Sequence, residues 1–165
     1  MLLFIIKKTL SRVNQVRNSD ITKKDREEAG FYDGSLWGKA KKSGGEAIKK
    51  MILDGMYGTS VTVFLLGEET AGRPWVKYEL EQSWKRGNGL ISIHIHQLLN
   101  FNRLSCTQGS DILDDYTYNV NGTKYPLSHW FKTYDWKNDD GYENFGDWVE
   151  EAVEIAERLQ QKGIM

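Results

Sequence analysis

The stretch from 61 to 96 constrains this chain more than any other. One apolar run, "VTVFLL" at 61–66, is followed by a second, "LISIHIH" at 90–96, and a segment of helical periodicity lies between them. Both runs are rich in β-branched or aromatic side chains and are bounded by turn residues: Gly67 after the first, Gly87-Asn88-Gly89 before the second. Continuous apolar runs suit strands covered on both faces, the usual condition of a parallel sheet. In the segment between, "RPWVKYELEQSWKR" at 73–86, Val76, Leu80 and Trp84 recur every four residues. They should face the sheet, with Pro74 in the first turn, where its missing N–H costs little. The whole predicts a strand, a crossover helix and a parallel strand.

The rest of the chain extends this pattern. "LLFII" near the start is a third run and "AGFYD" at 29–33 a weaker fourth. Residues 10–18 predict a short helix with Val13 and Val16 inward. Residues 43–56 predict another, with Ser43 as N-cap and an apolar face of Ile48, Met51 and Ile52. The final helix is expected over about 145–161, carrying Trp148, Ala152, Ile155 and Leu159, with Gly163 as its stop. Residues 97–142 are polar and aromatic, and Asn121-Gly122 between extended segments signals a hairpin. A last strand is expected near "WFKTYDW". The fold class is therefore α/β: a mainly parallel sheet with helices on both faces and an inserted hairpin region after the fourth strand. A length of 165 residues suits one domain, 1–165, with the insertion at about 97–135.

Composition narrows the partners. The net charge of -1 offers no electrostatic case for nucleic acid or an acidic membrane surface. Cys106 is the sole cysteine, so no internal disulfide and no multi-cysteine zinc site can form; a reducing, cytoplasmic location fits. "MLLFII" is too short for a membrane span or a signal-peptide core.

Ligands of such sheets sit beyond the carboxyl ends of the strands, so the loops at 33–42, 67–74 and from 97 onward are the places to search. Glu79 lies four residues after Trp75 and four before Ser83, on a shared helix face flanking the apolar one. From there a carboxylate can point into the crevice. Most helix glutamates are solvated, and pattern alone favours that plainer reading. The loop "DGSLWGKAKKSGG" combines Asp33, Ser35 and Trp37 with lysines and glycines. It could close over a nucleotide or be an ordinary surface loop, and neither standard phosphate-binding fingerprint is present. His94 and His96 share a strand face, but a zinc site needs three or four ligands and no third is evident, so no metal is expected.

Taken together, "SLW" at 35–37, "TSVTVFLLGEET", "RPWVKYELEQS", "GNGLISIHIH" and the late "YDW" and "DDGYENFGDWV" resemble the bacterial TIR-like family typified by the TIR subunit of the Thoeris anti-phage system. The resemblance runs from about Ser11 to the end of the last helix. It implies a flavodoxin-like TIR fold and an enzyme that cleaves NAD at the nicotinamide–ribose bond. It further implies a cyclic ADP-ribose isomer as product, read by a downstream effector. NAD is then substrate, and no separate cofactor is implied. Family enzymes place the catalytic glutamate four residues after a tryptophan on this helix, which here is Glu79 after Trp75. Asp33, Ser35, Trp37 and Trp75 are the expected substrate-binding residues, and self-association through TIR surfaces is expected. The rival readings are a non-enzymatic TIR interaction module, a weakly active relative, and a nucleoside-processing transferase on a related fold.

The first strand departs from the family, whose polar-aromatic pattern is replaced by "LLFII". Codons for Leu3 to Thr9 exist that read Phe-His-Tyr-Lys-Lys-Asp in another frame, closer to the family; the genomic DNA tests that reading.

Overall fold

The computed structural model describes residues 2–3, 10–17 and 42–165. Among the described residues the core is a sheet of four strands: β1 (Leu2–Leu3), β2 (Val61–Leu66), β3 (Gly89–His94) and β6 (Thr133–Asp135), in the order β1-β2-β3-β6. All three pairings are parallel; β2 and β3 match residue for residue from Val61–Gly89 to Leu66–His94. Every residue of β2 and β3 is buried. That explains why these strands read as unbroken apolar runs rather than alternating ones.

Helices cover both faces. On one, α1 (Leu10–Arg17) and the front of α5 (Gly141–Gln161) pack Val13, Val16, Phe145, Trp148 and Ala152 against Val61, Val63, Leu65, Ile91 and Ile93. On the other, α3 (Pro74–Arg86) sets Val76, Leu80 and Trp84 against Phe64, Leu66 and Leu90. The helix α2 (Gly45–Gly55) then packs beside α3, bringing Ile48 and Ile52 to Trp75 and Tyr78.

Between β3 and β6 the chain forms a one-turn helix α4 (Ile112–Asp115) and an antiparallel hairpin, β4 (Thr117–Val120) with β5 (Thr123–Pro126). A short 3-10 turn at Leu127–His129 follows. The hairpin docks on α3: the Trp84 ring lies 4.6 Å from Tyr118 and 5.8 Å from Trp130. Asn121 (φ 51°) and Gly122 (φ 87°) make the turn, and Asn119 Oδ1 accepts from the Gly122 N–H at 2.8 Å. No atom lies within 4 Å of a Cβ built on Gly122, so a side chain there is opposed by backbone conformation alone. Gly122→Ala should therefore cost roughly 1 kcal/mol, read as faster amide exchange over 117–126 with the sheet core unchanged.

Four expectations need correction. The α2 N-cap is Gly44, at φ 95° and with no side-chain cap bond, rather than Ser43. The left-handed φ explains the choice, since glycine adopts it without Cβ strain. The last helix starts at Gly141, not near 145, because Asp140 takes a left-handed conformation that turns the chain over Trp136. A Cβ on Gly141 would fall 2.5 Å from the Trp136 ring, so this approach is open only to glycine. The strand expected at 90–96 ends at His94, where the ladder to β6 stops at Asp135. Glu79 is also not on the flank of a narrow buried stripe: Glu79 and Ser83 are as buried as Leu80, with Ser83 bonded to Thr62 of β2 and the neighbouring Trp75 and Tyr78 packed by α2. The strand expected at 29–33 lies outside the described residues.

Candidate functional site

The helix α3 begins at Pro74, just past the loop that leaves β2, so its first two turns stand over the carboxyl end of the sheet. Trp75 occupies the first turn and Glu79 the second, on one helix face. Trp75 is half-buried, in edge contact with Tyr78 at 6.1 Å, and its ring lies 3.6 Å from where a Cβ on Gly45 would stand. Gly45 opens α2, so the indole packs against the start of that helix at ordinary contact distance.

Glu79 has no exposed surface. Neither carboxyl oxygen has a hydrogen-bond partner among the described residues. Desolvation by burial alone holds its pKa well above the ordinary carboxyl value. One turn further on, Ser83 is also fully buried but satisfied. Its hydroxyl shares a hydrogen bond with that of Thr62 at 2.7 Å, and Asn88 Nδ2 donates to Thr62 at 3.3 Å and to Thr59 Oγ1 at 3.0 Å. The same helix face thus carries one buried polar group that is fully served and one that is not. Buried polar groups are nearly always paired, so the unpaired Glu79 carboxyl is an exception that calls for an explanation. The solvated-surface reading of Glu79 is therefore overturned.

Trp75 and Glu79 stand one turn apart on α3. Asp33, Ser35 and Trp37 lie outside the described residues. His94 and His96 meet edge to face at 5.9 Å, and His96 Nδ1 stands 3.5 Å from Asp135 Oδ2. Burial lowers the His94 pKa against an opposing pull from Asp111. Among the described residues, no group of three or more His, Cys, Asp or Glu could hold a metal, and no helix is long and apolar enough to cross a membrane.

Sequence reasoning missed Arg12, which is only 4% exposed. A signal was present: Arg12 precedes inward-facing Val16 by one helical turn, so a cation had to share the buried face.

The family described as the TIR-like domain of Thoeris protein ThsB matches residues 3–100. A relative from Bacillus cereus (strain MSX-D12), provisionally named as the cyclic ADP-D-ribose synthase ThsB1, is 34% identical over 174 residues. That alignment covers 84% of this chain and 91% of the relative.

Proposed function

Because this chain belongs to the TIR-like domain family of Thoeris protein ThsB, we propose that it cleaves NAD at the nicotinamide–ribose bond, with Glu79 as the catalytic carboxylate, and closes the remainder into a cyclic ADP-ribose isomer. The observation that carries this reading is the pair of unpartnered Glu79 oxygens, sealed on a helix face beside Trp75.

The chemistry suits a lone carboxylate. Nicotinamide leaves with the electron pair of the broken C–N bond and departs neutral, so no general acid is needed. The ribose carbon becomes oxocarbenium-like. A carboxylate beside it orients the ribose hydroxyls and stabilises the developing positive charge, most strongly where water is excluded. A hydroxyl of the adenine ribose then forms the new bond to that carbon and releases its proton, closing the ring. Water in that role would give linear ADP-ribose instead.

In the resting protein Glu79 is covered and held toward its neutral form. Substrate must open this packing, and the pyridinium charge of NAD then favours the ionised carboxylate. Trp75, packed against α2, together with Asp33, Ser35 and Trp37, is proposed to supply the substrate contacts. The cyclic product is the signal that reaches an effector, and self-association through TIR surfaces is the proposed route to the open state.

Incubating the protein with NAD and resolving the products by mass spectrometry tests this. We expect free nicotinamide together with a product of ADP-ribose mass less one water. Nicotinamide with linear ADP-ribose alone would remove the cyclase step. Unchanged NAD, with phage-infected lysate added as well, would favour the interaction-module reading.

A further inference from the structure

A cavity of about 250 Å³ is lined by Arg12, Glu68, Thr70, Arg73, Ser105 and Cys106, among others. Its walls come from the loops that follow β2 and β3 and from the first turn of α1. It therefore lies beyond the carboxyl ends of two neighbouring parallel strands, where α/β sheets receive ligands.

Arg12 is the unusual member. Its Nε donates to the Leu98 carbonyl at 2.6 Å and its Nη2 to the Leu104 carbonyl at 2.8 Å. Both acceptors are neutral, and no carboxylate pairs with Arg12 among the described residues. Buried charges are as a rule paired. Carbonyls orient the guanidinium without cancelling its charge, and two of them use only part of its five N–H groups. The result is a fixed, buried cation lining the cavity, with N–H groups left over after the two carbonyls and with Glu68 and Glu69 elsewhere on the same wall.

The remaining wall says which oxyanion. Thr70 and Ser105 bring hydroxyls. Arg73 is already engaged by Glu69 at 3.3 Å and adds little free charge. Glu68 would repel a bare anion, but its carboxylate can accept hydrogen bonds from sugar hydroxyls. We propose that this cavity binds a phosphorylated sugar, with the phosphate on Arg12 and the hydroxyls toward Glu68. A free sugar phosphate and the ribose phosphate of a nucleotide share this chemistry.

Cys106, the sole cysteine of the chain, lines the same cavity and is half-buried. Its alkylation by iodoacetamide, followed by mass spectrometry, therefore reports occupancy in the unmodified protein. Ribose 5-phosphate and AMP are the two probes. At least one should slow alkylation about threefold or more at millimolar concentration, in a saturable way, as a charge-assisted contact of this kind allows. Stronger protection by AMP would identify the nucleotide as the source, and stronger protection by ribose 5-phosphate the free sugar phosphate. Ribose, and sodium chloride at matched ionic strength, should have no effect. Arg12→Gln should raise the half-protecting concentration about fivefold or more through loss of the charged fork; Arg12→Lys, which keeps the charge but not the fork, replaces it if the glutamine variant does not fold. The proposal is overturned if neither probe protects, if inorganic phosphate protects as well as both, or if the Arg12 variant is protected like the parent.

Discussion

Glu79→Gln is expected to lower NAD consumption by at least about 10²-fold, the scale on which a single preorganised electrostatic contact to a developing charge acts, while raising thermal stability at neutral pH. The two effects share a cause. Glutamine keeps the shape of the side chain but carries no charge, so the oxocarbenium-like carbon loses its counter-ion. The protein, however, no longer keeps a titratable group in a place without water or partners.

The stability effect has a defined pH dependence. Burial raises the Glu79 pKa above its ordinary value of 4.5. The native state therefore retains a proton over a range where the unfolded chain has released it. Stability from that proton is full below the ordinary carboxyl range and declines as pH rises to the native pKa. Glutamine does not titrate, so its melting temperature and that of the parent should lie close together at pH 4 and diverge as pH rises. Each pH unit by which the native pKa exceeds the unfolded one is worth about 1.4 kcal/mol, so the two melting temperatures should separate by roughly 3–5 degrees per unit over that range. Scanning calorimetry of both proteins from pH 4 to pH 8 measures this. A difference independent of pH would show that Glu79 ionises freely in the folded protein. Full NAD turnover in the variant would remove Glu79 from the mechanism.

Gly89→Ala is expected to produce the largest loss of stability. Gly89 opens β3, where α5 crosses the sheet so closely that a Cβ would fall 2.4 Å from the Ala152 carbonyl oxygen and 3.1 Å from the Ala152 methyl. The obstacle is backbone, which cannot swing aside as a flexible side chain can. Relief requires α5 to lift from β3, loosening Trp148 and Ala152 on one face and Ile155 and Leu159 on the other. Overpacking of this kind costs about 3 kcal/mol or more. Asn88 sits beside this point and bonds Thr62, the partner of Ser83, so the disturbance also reaches the helix that carries Glu79. Chemical denaturation should show a lower midpoint, and the NAD assay a parallel loss.

The central β2–α3–β3 unit was legible because its signals are local. Six-residue apolar runs, a four-residue repeat in Val76, Leu80 and Trp84, and Pro74 at the helix start need no distant partner to be read. The Asn121-Gly122 hairpin is legible for the same reason, since two left-handed residues in succession admit few other sequences. The N-cap of α2 was not, because Ser43 and Gly44 both suit a helix start and the backbone angle decided between them.

The site divides along the same line. From sequence alone, Glu79 could be placed on a helix face shared with Trp75 and Ser83, after a strand-end loop, but an eligible face is not a buried one. Periodicity reports which residues of a helix lie together, while burial depends on what the rest of the chain lays over them. Only the tertiary structure removed Glu79 from water while giving it no partner among the described residues. Arg12 shows the converse: its helix position was readable, but the two carbonyls that hold it come from residues 98 and 104, more than eighty positions away. Sequence determined the elements and their inward faces. Long-range packing decided which polar groups on those faces would be sealed, satisfied or left waiting for a ligand.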